Sequence, residues 1–251
     1  MTIDLGGADG ITSATGHRAD PCAIRCTRCP NRRLGWFCSL GSGALEDLER
    51  VSDPVFLPAH ASLFDQETAP SSLFVVCSGY VKLTVRREHD RQMVAHVGGP
   101  GSILGLHAAL SDCKHEVSAC SLTPLHLRSI KRDSFFVVLR RNKEIQKRAL
   151  QSLCRQYRFA LEHSCRTALS ETVAERLGRL LIEMANQLGD PLIGRGIRLP
   201  FLLTHEEIAT MIGSTRETVT RTLVQFRKRG WISIESSVLV LKNPEMVRTL
   251  L

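Results

Sequence analysis

Residues 204–228 constrain this chain more tightly than any other stretch. Ile208 and Ile212 form an apolar pair at helical spacing, with Ala209 beside them. Gly213 then interrupts the pattern, as a residue able to take positive φ does after a helix. Ser214 and Thr215 are capping residues for a second helix running to about Lys228. In that helix Val219, Leu223 and Phe226 fall on one face, and Arg216, Glu217, Thr220 and Arg221 on the other. The small residue permits close helix contact, the glycine turns the chain, and Val219 plugs the angle between the helices. The pattern predicts a helix-turn-helix.

The outward face has the chemistry to read base edges. An Arg grips guanine O6 and N7, a Glu accepts from cytosine N4, and a Thr methyl meets a thymine methyl. The site residues expected for DNA are therefore Arg216, Glu217, Thr220 and Arg221, with Ser214 and Thr215 at the turn. A formal net charge of +8 over 251 residues favours a polyanionic partner. No apolar run reaches the ~18–20 residues of a membrane span. Residues 1–20 are polar and Gly-rich, without the basic and apolar regions of a secretory signal, so a cytoplasmic protein is expected. No nucleophile elbow, phosphate-binding loop or paired catalytic carboxylates stand out, so an enzyme is not expected.

The stretch LTHEEIATMIGSTRETVTRTLVQFRKRGWI resembles the winged-helix domain of the CRP/FNR bacterial regulators. Residues 231–235 and 238–241 run apolar or alternate around Ser236-Ser237 and read as a hairpin, the wing. From Asp53 to about Leu127 the chain reads as many short strands. Leu73 to Val76 and Tyr80 to Val85 look like strands around a tight turn at Ser78-Gly79, and residues 98–101 are a turn cluster. The layout resembles the family's jelly-roll sensory barrel. Residues 142–169 hold no Pro or Gly, and Ile145, Ala149, Leu153, Tyr157, Ala160, Leu161 and Ala168 recur at helical spacing. A long seamed helix between two domains is economical as a dimer interface, since a palindromic site wants a two-fold protein. Residues 171–188 read as a further amphipathic helix and 190–196 as the loop after it.

The expected fold class is α+β. It comprises a cysteine-rich segment (1–40), a jelly-roll β-barrel of the cyclic-nucleotide-binding kind (41–140), a dimerisation helix (141–169) and a winged helix-turn-helix (170–251). The resemblance implies a homodimer on double-stranded DNA at an inverted repeat, with half-sites related to TTGAT or TGTGA, and RNA polymerase as a further partner.

The second informative feature is the cysteines. There are nine, and four crowd into Cys22-x3-Cys26-x2-Cys29-x8-Cys38. In a reducing compartment, clustered thiols point to metal or redox chemistry rather than disulfides. Spacing alone leaves zinc and an iron–sulfur centre both open. The segment CAIRCTRCPNRRLGWFC resembles the amino-terminal segment of the FNR branch, which implies an oxygen- or nitric-oxide-sensitive [4Fe-4S] cluster. By position Cys26, Cys29 and Cys38 match three ligands, and Cys22 matches an extra cysteine of some members. Two departures stand out. The last gap is longer than the family's usual five residues, and the barrel position aligned with the fourth ligand carries His126. The fourth bond is thus open among Cys22, Cys113, Cys120 and His126, with Cys22 preferred. The alternative is structural zinc, or redox-active thiols, with a different small-molecule signal.

A cyclic nucleotide is not expected. Where the CRP branch holds ribose and phosphate with Gly-Glu-Leu and an Arg, this chain has Gly105-Leu106-His107 and Glu116-Val117-Ser118. The ribose carboxylate is missing, and an acid stands near the phosphate position. Cys154 and Cys165, eleven apart on the long helix, read as seam or core residues rather than a redox pair.

Overall fold

The computed structural model describes residues 25–32, 34–86, 92–168, 172–192, 196–201, 203–235 and 238–250. Cys22, the polar tip at Arg87 to Arg91 and the wing tip Ser236-Ser237 lie outside the described residues. A 3-10 turn at Cys26–Arg28 leads to α1 (Gly35–Cys38) and α2 (Ser42–Arg50). Strands β1 (Ser52–Leu57), β2 (Ser62–Phe64), β3 (Ser72–Ser78), β4 (Val81–Arg86), β5 (Gln92–Gly98) and β6 (Ile103–Leu104) follow. After α3 (Leu106–Ser111) come β7 (Ser118–Ser121) and β8 (Leu125–Lys131). They make two antiparallel four-stranded sheets, ordered β1-β8-β3-β6 and β2-β7-β4-β5. Between the sheets lie Val76, Val81, Leu104, Ala119, Leu125 and Leu127, a barrel interior built from alternate residues of each strand. The expected strands at 73–76 and 80–85 are present, but they do not pair with each other. Gly79, at φ +85°, carries the chain from one sheet to the other, and its missing Cβ would stand 2.2 Å from Pro124 O.

Helix α4 (Arg132–Arg141) leaves the barrel and α5 (Lys143–Ala168) is the long helix. Asn142 separates them and caps α5, its Oδ1 accepting the Glu144 and Ile145 amides at 3.0 and 3.3 Å. The apolar seam read from sequence divides between two faces. Ile145 and Ala149 are buried by the chain itself, packed with Phe37, Leu40, Leu45, Leu48, Phe135 and Val138 over the outer face of the first sheet. Tyr157 and Leu161 stand outward, 69 and 47% exposed, in line with exposed Cys154 and with Leu150, 62% exposed and not among the expected seam positions. Spacings of four, three and four residues among them are those of a coiled-coil seam.

Helix α6 (Val173–Leu188) begins with a capping box between Thr172 and Glu175 and buries Leu177, Leu181 and Met184. Residues 190–196, expected as a loop, instead contribute two three-residue strands, β9 (Asp190–Leu192) and β10 (Gly196–Arg198). Helices α7 (His205–Ile212) and α8 (Arg216–Lys228) are followed by β11 (Ile232–Glu235), β12 (Val238–Leu241) and α9 (Pro244–Arg248). The wing hairpin pairs Ile232 with Leu241 through Glu235 with Val238, and β10 joins the other edge of β12. No described helix is long and apolar enough to cross a membrane.

The amino-terminal turn is seated on the barrel by a close backbone approach as well as by side chains. Gly35 and Gly101 have φ of +62 and +85°, and a Cβ on Gly35 would lie 2.1 Å from Gly101 O. Both the left-handed conformation and the lack of space exclude a side chain there. Gly35→Ala is expected to cost about 2 kcal/mol or more, read as a lower thermal midpoint. An unchanged midpoint would contradict this seating.

Candidate functional site

The reading helix is held from four directions. Thr204 caps α7, accepting the Glu207 amide at 3.1 Å, while the Glu207 carboxylate accepts the Thr204 amide at 2.8 Å. Gly213 ends α7 in the left-handed conformation, and its amide and that of Ser214 both bond Ala209 O. Arg176 of α6 donates from Nε to Ile212 O at 2.7 Å and from Nη2 to Gly213 O at 3.3 Å, using the carbonyls a helix end leaves open. Thr215 caps α8 through the Thr218 amide at 3.3 Å. Ala209, Val219 and Phe226 are almost fully buried in the angle between α7, α8 and α6, in the roles their spacing suggested.

Arg216, Glu217 and Arg221 lie exposed along one face of α8, and Thr220 is half-buried at its edge. The structure thus brings together the residues expected to face bases. Thr220 Oγ1 lies 2.8 Å from Arg216 O and 2.8 Å from His205 Nδ1, the direction of the second contact following the His205 tautomer. These contacts engage the hydroxyl and leave the threonine methyl as its contact group. His205 was missed in the sequence because it acts through a residue 15 positions away. Hydrogen bonds from its own amide and from Thr215, followed by nearby Arg216 and Arg221, hold the Glu217 carboxyl below its ordinary value. It is therefore a charged acceptor at neutral pH. Arg221 Nη2 lies 3.4 Å from Thr218 Oγ1, a loose contact that leaves the fork available.

This domain also touches the barrel. Lys82 of β4 pairs with Glu207 at 2.6 Å, and the Val94 amide of β5 donates to Thr210 Oγ1 at 3.4 Å. Burial pushes the Glu207 carboxyl up, but hydrogen bonds from Lys82 and Thr204 outweigh it and hold it low. A cavity of about 290 Å³ lies between β5 and helices α6 and α7, lined mainly by apolar groups such as Val94, Leu180 and Met211.

The second site lies on the outer face of the first sheet. Cys26, Cys29 and Cys38 surround one small cavity, together with Cys77 of β3, Phe37, Val75 and Arg128. Burial, then the neighbouring Cys29 and Cys26, push the Cys38 thiol up to about 12. Like-charge repulsion of this kind is what a bound cation would relieve. The Cys26 amide donates to Glu49 Oε1 at 3.2 Å, and the same oxygen accepts from Arg128 Nη2 at 3.3 Å. Four thiols are a donor set suited to zinc or an iron–sulfur centre. The cavity between them is about 20 Å³, the room of a single water. Among the described residues no three such donors converge at coordination distance. The donor chemistry fits, and chelation requires the Cys26 to Cys38 turn to shift.

Among the described residues, none of the other expected donors lines this cavity. Cys113 is exposed beyond α3, with its Sγ 3.4 Å from Ser111 O. Cys120 is in the opposite sheet, opposite Lys82. His126 packs its ring 5.0 Å from that of Phe56. At the position of a nucleotide ribose, Gly105 is left-handed, Leu106 is buried, and His107 faces Glu116 at 3.5 Å.

A jelly-roll barrel, a long helix and a winged helix-turn-helix with a basic outward face define a DNA-binding regulator. Residues 175–250 match the Crp-like helix-turn-helix domain, and residues 54–142 the cyclic nucleotide-binding domain. The CRP-like cAMP-activated global transcriptional regulator of Mycobacterium tuberculosis is 27% identical over 213 residues, spanning 85% of this chain and 94% of that protein. The nitrogen fixation regulation protein FixK of Azorhizobium caulinodans is 24% identical over 191 residues, spanning 76% of this chain and 75% of that protein. The structure of FixK2 from Bradyrhizobium japonicum has the same fold, with a TM-score of 0.70 at 20% identity over 80% of this chain and 97% of that one. The chain belongs to the CRP/FNR family of transcription regulators, which are not enzymes.

Arg221→Ala is expected to cost about 1–3 kcal/mol on a cognate operator and to relax specificity at one base pair. Equal weakening on operator and random DNA, measured by titration, would show that Arg221 meets only phosphate.

Proposed function

We propose that this regulator binds an inverted repeat as a homodimer, and that its affinity for DNA is set by an oxygen- or nitric-oxide-sensitive [4Fe-4S] centre on its amino-terminal cysteines. This places it in the FNR-like branch. The observation that carries the reading is the seat of the cysteine segment on the head of α5. The Gly41 amide donates to Glu144 Oε1 at 2.9 Å, and Asn142 Nδ2 donates to Asp47 Oδ2 at 3.3 Å. Phe37 and Leu40, which flank Cys38, share a core with Ile145 and Ala149. The outward seam of Leu150, Tyr157 and Leu161 begins on the next turn of that helix.

Cys26, Cys29 and Cys38 would hold the centre, and when bound it supplies reactivity towards oxygen and nitric oxide. The rest is the work of the chain. With its cysteines tied together, the segment keeps Phe37 and Leu40 in place and α5 in one setting. Released, it no longer fixes the first turn of α5, and the seam loses its preferred geometry. A signal acts only through such a difference in interaction between two states. Two subunits then place two copies of α8 about one helical turn apart on DNA.

The cyclic nucleotide reading is disfavoured by the site itself: Leu106 offers no carboxylate to a ribose, and Glu116 would repel a phosphate. Structural zinc on the same thiols is the alternative, since its donor set is identical.

The test is an anaerobic preparation assayed for iron, sulfide and zinc, with a visible spectrum and operator titration before and after air. About four irons per chain, bleaching in air and a tenfold or greater loss of operator affinity are expected. Zinc without a chromophore, and binding indifferent to air, would overturn the iron–sulfur reading.

A further inference from the structure

Cys77 sits in an apolar run and reads in sequence as one more core residue. Its surroundings differ from those of its neighbours. Val76 points into the barrel interior, 0% exposed, whereas Val75 and Cys77 face outward and line the same cavity as Cys26, Cys29 and Cys38. The pairing of β3 with β8 also slips at this point. Val76 stands opposite Leu127 and Ser78 opposite His126, so Cys77 is the extra residue of a β-bulge. Bulges of this kind re-aim a side chain at the edge of a site. The amino-terminal turn is in turn fastened to this residue, with Asn31 Nδ2 donating to Cys77 O at 2.7 Å.

Arg128, 7% exposed, closes the cavity from β8. Its guanidinium meets Glu49 and Ser52, each at 3.3 Å. No other barrel cysteine shares this position. Cys113 lies beyond α3 and Cys120 in the other sheet.

We propose that Cys77 is the fourth thiolate of the amino-terminal metal centre, which is therefore shared between the segment carrying Cys26, Cys29 and Cys38 and barrel strand β3. The inference rests on the reading that these thiols hold a metal centre, and it applies to an iron–sulfur centre or to zinc. A barrel ligand ties the segment across the sheet that carries Val75 and Ile130, the floor under Phe37. Losing the centre then frees the segment from the barrel as well as from itself.

The full chain is prepared anaerobically as wild type, as Cys77→Ser, and as a triple variant, Cys22→Ser/Cys113→Ser/Cys120→Ser. Iron, sulfide and zinc per chain and the visible spectrum are measured on each. The Cys77→Ser chain is expected to retain less than about a fifth of the wild-type metal, with unchanged far-ultraviolet circular dichroism. The triple variant, in which Cys77 is untouched, is expected to keep the full metal content and the wild-type spectrum. Full metal in Cys77→Ser, or loss of metal in the triple variant, would overturn the assignment while leaving the metal reading intact. A wild type that takes up neither iron nor zinc would overturn both.

Discussion

The first turns of α5 have no core of their own. Ile145 and Ala149 are buried in a core that Phe37, Leu40 and α2 share with Phe135 and Val138 of α4, and the polar links from Gly41 to Glu144 and from Asn142 to Asp47 lock the same contact from outside. The helix that presents an exposed apolar seam is thus anchored at its head to the segment that carries the cysteines. Burying two such residues contributes roughly 2–4 kcal/mol, the same order as the free energies by which regulators switch. A change in that segment can therefore matter at the seam without altering the barrel.

At the other end, the DNA-reading domain shares an apolar core with Val94 and Val97 of β5, and directional contacts add to it. Lys82 bonds the same glutamate that caps α7, so the barrel touches the first helix of the motif at its capping box. Arg176 clamps the far end of α7 at the turn. The recognition helix takes its position from α7 and α6 through packing of Val219 and Phe226, with one polar link from Thr220 to His205. This leaves Arg216, Glu217 and Arg221 exposed on its outward face.

The helix-turn-helix was readable in full because its determinants are local: a cap, a glycine and three apolar positions within one short stretch. The barrel was readable as strands but not as pairings. Register is a long-range property, and nothing near Gly79 announces that β3 and β4 belong to different sheets. The strands at 190–192 and 196–198 escaped notice because three residues are too few for alternation to register. In α5, periodicity identified apolar positions but not what covers them; Ile145 and Ala149 face the chain itself and Tyr157 and Leu161 face out, beside Leu150, which the pattern did not pick out. Cys77 and His205 were invisible for the same reason. Each acquires its place from a bulge or a partner distant in sequence.

The central claim is that the thiol segment sets subunit association through the head of α5. It is tested most directly by sedimentation of the full chain, prepared anaerobically, before and after exposure to air, alongside Glu144→Ala, which removes the carboxylate that Gly41 contacts. The account predicts that air weakens wild-type dimerisation tenfold or more, about 1.4 kcal/mol, and that Glu144→Ala shows a smaller change. Wild-type association that is identical before and after air, with the metal centre lost, would contradict it.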